Sequence, residues 1–303
     1  MNSKKKLDGW LIIDKDKGIS SSSIVNNVKR ILKCKKAGHA GTLDPDATGL
    51  LAVGLGEATK LMSYLTNDLK CYFFRVNFGI MTHSDDSSGR KIKVSKFRPS
   101  NIEIENIIPS FLGNIFQKPP NISALKINGK RAYKLNHNCS NMIELKSRKI
   151  FIQSLKMLNR ENDDIASFQV VCGKGTYVRS IARDMGNLLG CYAHTLSIRR
   201  LWSGPFNEND MISLEQLEDN LSTANEFIKP IEDAVPNLEK IFCDENKFLK
   251  LKNGQKIDNF LSLDNDKEIL LVFRGKPIAI GVVKNDIINP RRVFNFIEHK
   301  GNF

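Results

Sequence analysis

An α+β chain ending in a small all-β barrel is what the sequence predicts, on two observations. Twice an apolar, strand-like run leads through a turn into a helical pattern: residues 8–38 ("DGWLIIDKDKGISSSSIVNNVKRILKCKKAG") and residues 165–190 ("IASFQVVCGKGTYVRSIARDMGNLLG"). From about Lys240 the character changes to short strands punctuated by Asn-Gly, Gly-Lys-Pro and polar turns, as in "KEILLVFRGKPIAIGVVKND". At 303 residues the chain exceeds the usual size of one domain, which agrees with two units.

The elements follow in order. Trp10 to Ile13 form a strand, Ser20 to Ser23 offer N-cap hydroxyls, and Ile24, Val28, Ile31 and Leu32 recur at helical spacing. Arg30, Lys33, Lys35 and Lys36, followed by Gly38, suit the end of that helix. "GHAGTLDPDATGLL" (residues 38–51) reads as a turn, because Asp-Pro starts turns and glycine accepts positive φ. Leu50 to Val53 then make a buried strand, with a glycine turn and a helix from about Glu57. "KCYFFRVNFG" alternates like a strand and "IMTHSDDSSGR" is a polar loop. "SNIEIENIIPSFLGNIFQ" (residues 100–117) reads as one helix, and Asn128-Gly129 beyond it is a tight-turn signal. Residues 217–237 make a helical or irregular connection into the barrel.

Composition narrows the function. The chain is 41% hydrophobic and 26% charged, enough for a real core. It carries 46 Lys+Arg against 33 Asp+Glu, a net charge of +13 that points to a polyanionic partner, although a Lys-, Asn- and Ile-rich bias gives the same excess. The start, "MNSKKKLDGWLIIDKDKG", has too short an apolar run for a secretory signal, and no stretch is long enough to cross a bilayer. The six cysteines and five histidines are scattered with no metal-ligand spacing. The expectation is a cytoplasmic protein with reduced thiols, no membrane partner and no metal or other cofactor.

"VGLGEATK" (residues 53–60) follows a strand and opens a helix, but lacks the third glycine of a dinucleotide fingerprint and the spacing of a P-loop. Tight strand–helix packing explains it, with nucleotide binding as the rival. Acid–base or nucleophilic work falls to carboxylates, tyrosines and arginines in glycine-rich turns. Asp44 sits in one; "GKGTYVRSIARD" is another and presents Tyr177 and Arg179, with Arg179 and Arg183 on one helical face. An Arg179 facing Asp44 would fix the direction of that carboxylate.

Five ordered segments, "DGWLIIDKDKGISS", "GHAGTLDPDATGLLAVGLGEATK", "KCYFFRVNFG", "QKPPNISALKINGKRAY" and "CGKGTYVRSIARDMGNLLGCYAHTLSIRRLWSGPF", span Asp8 to Phe206. Together they resemble the TruB-type tRNA pseudouridine synthases of bacteria. The resemblance implies an α+β catalytic domain over residues 1–235, with a mixed, mainly antiparallel sheet, flanking helices and a thumb-like insertion at about 117–147. It implies a small PUA-like RNA-binding β-barrel over residues 236–303. The activity implied is isomerisation of uridine 55 in the tRNA T-loop, by base flipping, glycosidic cleavage and reattachment through C5, by a monomer without guide RNA or cofactor. By the same resemblance Asp44 is the catalytic aspartate, Arg179 its partner, Tyr72 the tyrosine on the target uracil and a candidate proton acceptor, and Tyr177 a second pocket aromatic. His39 corresponds to the histidine that enters the T-loop, and Lys126, Lys130 and Arg131 lie in the RNA-clamping thumb. Arg199 and Arg200 fall in a paired-arginine segment and receive no role. The chain departs from the family pattern at Asp16, Gly173, Ile122 and in "THSDD". Two rivals stand beside this reading: a guide-RNA-dependent synthase, and an RNA-folding factor whose chemistry is incidental.

The charge excess generates a first test. If about five phosphates are neutralised on binding a T-arm RNA, log affinity against log salt should fall with a slope of about −4. A flat slope from low to physiological salt would show the excess to be compositional bias.

Overall fold

The computed structural model describes residues 7–122 and 145–296, together with the backbone of residues 126, 127, 130 and 131. Strand β1 (Gly9–Lys15) is followed by helix α1 (Ser21–Ile31), then β2 (Ala37–Ala40) and β3 (Thr48–Leu55). A 3-10 turn (Gly56–Leu61) runs into α2 (Met62–Asn67), then β4 (Lys70–Phe78), β5 (Ile80–Thr82) and β6 (Lys91–Val94). Helix α3 (Asn101–Ile107) and a 3-10 turn lead to β7 (Gly113–Gln117). The two-residue strands β8 (Lys126–Ile127) and β9 (Lys130–Arg131) pair with each other. After them come β10 (Arg148–Arg160), β11 (Ile165–Cys172), α4 (Val178–Leu188), β12 (Ala193–Ser203) and α5 (Leu214–Asp219). The last unit is β13 (Glu239–Phe242), α6 (Glu245–Lys252), β14 (Ile257–Asp258), β15 (Glu268–Phe273), β16 (Lys276–Lys284) and β17 (Ile287–Val293).

The large sheet runs β1-β3-β12-β4-β11-β10-β7, with β2 also on β3. Every pairing in it is antiparallel except β3 with β12, which is parallel at Arg199↔Thr48 and Arg200↔Gly49. That short parallel contact joins the two halves of the sheet. The expected mixed, mainly antiparallel sheet is present, and the C-terminal strands form a curled half-barrel, β13-β15-β16-β17-β14.

The run Trp10 to Ile13 is continuously apolar because β1 is covered on both faces. Leu11 and Ile13 join Ile24, Val28, Leu51 and Val53 beneath α1. Trp10 and Ile12 face the other way, with Leu50 and Ala52, and meet Leu270, Val272, Ile280 and Phe294 of the half-barrel. The half-barrel is therefore docked on the sheet through a shared core. A third core lies under α4, where Ile181 and Met185 pack on Phe74, Phe168 and Val170.

Four expectations change. The segment 100–117 is not one helix: α3 stops at Ile107 and Gly113–Gln117 pairs with β10, because Pro109 and Gly113 interrupt the helical pattern. Helix α6 interrupts the all-β reading of the tail, started by the Asp244 side chain accepting from the Lys247 N–H. Gly38, His39 and Ala40, placed in a turn, belong to strand β2, and Ile80–Thr82, placed in a polar loop, pairs with β6. Asn128 and Gly129 lie outside the described residues.

"VGLGEATK" is explained as a docking turn. The Glu57 N–H donates to Asp8 Oδ1 (2.7 Å), which occupies the donor a nucleotide phosphate would need. Lys60 Nζ bonds Glu57 Oε2 and the Val293 carbonyl (both 2.6 Å), and Asn295 N–H also donates to Glu57 (2.6 Å). These contacts clip the half-barrel to the sheet.

Gly49 shows how tightly the parallel contact is made. It sits at φ +94, and a Cβ there would lie 2.3 Å from the Arg200 carbonyl oxygen. Gly49→Ala should destabilise the protein by about 2–4 kcal/mol, read from its urea midpoint. An unchanged midpoint would mean that β3 and β12 are free to separate.

Candidate active site

Asp44 stands in the connection between β2 and β3, and that connection is held from beneath. Ser21, at the start of α1, donates its hydroxyl to the Leu43 carbonyl and accepts from the Leu43 N–H, both at 2.9 Å. Lys15 is fully buried, and its Nζ donates to the carbonyls of Asp16 (2.8 Å), Ile19 (2.7 Å) and Pro45 (2.8 Å). Burial lowers Lys15 to about 8, with the charges of Asp46, Asp44 and Asp16 acting the other way. The Pro45 carbonyl also accepts from the Gly18 N–H (2.8 Å). Arg200 bonds the Gly41 carbonyl (3.1 Å) on one side of the loop and the Leu50 carbonyl (2.6 Å) on the other. A loop tied at residues 41, 43, 45 and 50 presents the Asp44 carboxylate from a fixed frame.

The partner arrives from the opposite half of the sheet. Tyr177 N-caps α4, and its backbone is pinned in both directions by the Gln117 side chain (2.8 and 3.1 Å). This places Arg179, 4% exposed, in the first turn. Its Nε lies 2.9 Å from Asp44 Oδ2, the juxtaposition the glycine-rich turns were expected to make. The Nε–H is not aligned with any acceptor among the described residues, so the contact is an ion pair, not a directed hydrogen bond. Nη1 donates to the Ser84 carbonyl (2.8 Å) and meets Asp86 Oδ2 (3.2 Å).

Asp86 was not singled out in the sequence. It belongs to "THSDDSSG", whose two aspartates, three serines and glycine were a readable sign of a self-bonded loop. Its Oδ1 accepts from Ser84 Oγ (2.6 Å), Ser88 N–H (3.0 Å) and Ser88 Oγ (2.6 Å), leaving Oδ2 for Arg179. One turn further along α4, Arg183 pairs with Asp85 (2.9 Å), itself in the left-handed region at φ 60, and donates to the Lys118 carbonyl (2.7 Å). Ser180 bonds the same carbonyl at 2.9 Å. The chain at Lys118, just beyond β7, is thereby fixed to the helix that carries Arg179.

A small cleft opens over the pair, walled by Asp44, Asp46, Asp86, Arg179 and residues 195–198 of β12. Ile198, a half-buried apolar wall, was also not anticipated. Tyr72 is half-buried on β4, directly opposite Arg200 of β12. Burial pushes its hydroxyl up, the charge of Arg200 works against that, and the charge of Asp44 adds a smaller upward push. His39 is half-buried on β2, opposite Val53. Asp44 and Arg179 thus meet in the cleft, the Asp44 charge reaches the Tyr72 hydroxyl and Tyr177 stands two residues before Arg179, while the side chains of Lys126, Lys130 and Arg131 lie outside the described residues. Among the described residues no three His, Cys, Asp or Glu side chains are grouped to hold a metal, and no helix is long and apolar enough to cross a membrane.

Comparison with known proteins agrees with this geometry. Residues 29–178 match the model of the TruB family pseudouridylate synthase (N terminal domain), and residues 179–236 match the tRNA pseudouridylate synthase B C-terminal domain. The chain is 42% identical over 293 residues to the tRNA pseudouridine synthase B of Ruegeria pomeroyi, covering 96% of each. It is 42% identical over 296 residues to that of Ehrlichia ruminantium, covering 95% of this chain and 99% of the relative. Among solved structures, a Cbf5-Nop10-Gar1 complex superposes with a TM-score of 0.74 at 24% identity, covering 95% of this chain and 85% of that one. An H/ACA RNP bound to a substrate RNA containing 2′-deoxyuridine gives 0.73 at 22%, with the same coverage. At such identities the two structures speak for the fold.

The Asp85–Arg183 pair sets up a pH test. Burial raises Asp85 to about 6, with Arg183 opposing. An aspartate raised in the native state stabilises it below the ordinary value near 4, and that contribution is lost as pH rises through about 6. Asp85→Asn should therefore gain stability relative to the unsubstituted protein between about pH 4 and pH 7. Urea midpoints measured across that range read the difference; a variant that falls behind as pH rises would show the ion pair to be the stronger effect.

Proposed function

We propose that this chain, which belongs to the TruB family of pseudouridylate synthases, converts uridine 55 in the T-loop of tRNA to pseudouridine, as a monomer and without guide RNA. It is a tRNA pseudouridine synthase on the strength of relatives aligned over nearly its whole length. The observation that carries the finer reading is the Asp44–Arg179 contact of 2.9 Å inside a small cleft, with the Asp44 charge also acting on the Tyr72 hydroxyl.

The chemistry asks for little beyond such a site. The bond between N1 and C1′ breaks, the uracil turns over, and C5 bonds to C1′. C5 then loses its proton and N1 acquires one, so the isomerisation is redox-neutral. A uridine stacked in an RNA loop cannot reach a cleft of this kind, so the base is extruded first. His39, on the strand leading into the Asp44 loop, enters the gap, and Tyr72 and Tyr177 offer ring faces to the extruded uracil. Asp44 then meets the ribose as an aimed carboxylate. Attack at C1′ and removal of a ribose proton both require that carboxylate ionised and oriented, which is the service Arg179 provides. The C-terminal half-barrel binds RNA, and Lys126, Lys130 and Arg131 meet phosphates of the T-arm. The enzyme works in the cytoplasm, where its tRNA substrate is.

Tritium release from a T-arm transcript carrying 5-tritiated uridine tests this directly. Asp44→Asn should lose at least about a thousandfold in turnover while RNA affinity stays within roughly tenfold, and Asp46→Asn should lose far less. Arg179→Lys, which keeps the charge but not the fork of donors, should damage turnover more than binding, and Arg179→Ala more still. An Asp44→Asn enzyme of near-normal activity would end the assignment.

A further inference from the structure

Arg200 is a fully buried arginine that the foregoing chemistry does not use. Two of its donor groups are spent on backbone: Nε on the Leu50 carbonyl and Nη2 on the Gly41 carbonyl. Its Nη1 is buried with no aligned acceptor among the described residues. A buried guanidinium keeps its charge, and a buried donor without an acceptor is costly, so Nη1 calls for an account. The β12–β4 register sets Arg200 directly opposite Tyr72, with the guanidinium carbon 6.0 Å from the ring centroid. Glycine at position 41 leaves the space beside Nη1 open, since a Cβ there would stand 3.2 Å from it.

We propose that Arg200 is a positioning residue for Tyr72: its third donor group holds the phenol oxygen towards the uracil, and its charge supports that oxygen as a proton acceptor when C5 gives up its proton. The proposal rests on the reading of Tyr72 as the acceptor. In the step concerned, the C5–H bond breaks and its electron pair restores the C5–C6 double bond. The proton passes to Tyr72 as a phenolate, whose own proton has left to solvent beforehand, while the N1=C6 pair moves to N1, which takes a proton from solvent.

The surroundings of Tyr72 make Arg200 the cation that matters. Burial, Cys172 on β11 and Asp44 from the loop all disfavour a charged phenol, and Arg200 on β12 favours one. Lys70, a further buried cation, is occupied: its Nζ donates to the carbonyls of Leu65, Thr66 and Asp68, and burial lowers it to about 8. Arg179 is spent on Asp44, Asp86 and the Ser84 carbonyl, and Lys15 on three backbone carbonyls. Arg199, the neighbour in sequence, points away to Asp14 and Glu208. The paired arginines therefore divide the labour, one tying strands together at the surface and one facing Tyr72.

The test is single-turnover tritium release against pH for Arg200→Gln, Arg200→Lys and Tyr72→Phe, with tRNA affinity and thermal midpoints measured alongside. Arg200→Gln removes the charge, so its rate at neutral pH should fall roughly thirtyfold, recover as pH rises, and leave RNA affinity within about threefold. Deuterium at C5 should slow Arg200→Gln more than the unsubstituted enzyme, because proton removal becomes limiting. Arg200→Lys should keep the original pH profile. In the Tyr72→Phe background either substitution should cost several-fold less than in the unsubstituted enzyme, the non-additivity expected of one residue acting through another, and what remains is the loss of the ties to Gly41 and Leu50. Should Arg200→Gln fail to fold, the Lys variant in both backgrounds still decides. A pH-independent loss without an isotope effect, or a loss undiminished by Tyr72→Phe, would overturn the proposal. Normal turnover of Tyr72→Phe would instead overturn the role given to the tyrosine.

Discussion

Arg179 reaches two carboxylates that the chain delivers from different loops, Asp44 with Nε at 2.9 Å and Asp86 with Nη1 at 3.2 Å, while a third contact goes to the Ser84 carbonyl. The guanidinium is almost wholly buried, whereas the Asp44 side chain is 35% exposed. This asymmetry matters. A buried charge must be compensated on every side, so the arginine is locked by Asp86 and Ser84 first, and Asp44 is then held by an already immobile cation. The carboxylate keeps its open side towards the cleft. Because the Nε–H is not aligned on Asp44, the contact constrains the carboxylate without saturating it.

Much of the remaining architecture serves that pair. Lys15 and Ser21 hold the Asp44 loop from below, and the Gln117 side chain fixes the entry to α4. The parallel contact between β3 and β12 brings the two halves of the sheet, and so Asp44 and Arg179, into one frame. The half-barrel shares a core with the back of the same sheet through Trp10, Ile12, Leu270 and Val272, so its orientation relative to the cleft is set by packed apolar surface. Arg183 and Ser180 tie the Lys118 carbonyl, just beyond β7, to the helix carrying Arg179.

The sequence disclosed what is local. Strand β1, helix α1, β4, β11 and α4 were legible from periodicity and caps, and Asp44 and Arg179 were recognisable because their glycine-rich turns carry a family pattern. It disclosed less where a signal is relational. Asp86 is one aspartate among serines in a polar loop, and only the fold reveals that its second oxygen faces a buried arginine from nearly a hundred residues away. Lys15 and Arg200 look like ordinary surface cations in a basic chain, yet both are fully buried, because backbone carbonyls of the same loop accept their donors. Gly113–Gln117 was absorbed into a helix because its partner, β10, lies across the thumb insertion. Short apolar runs do not declare their state without that partner.

The central claim is that this pre-set carboxylate is where an extruded uridine is delivered. A crystal structure of the Asp44→Asn enzyme with a T-arm stem–loop tests it most directly. The account predicts the target uridine out of its stack, its C1′ within about 3.5 Å of the residue 44 side chain, its ring against Tyr72, and Arg179 still on Asp86. A uridine left stacked in the loop, or seated away from the cleft with Arg179 swung off Asp86, would contradict it.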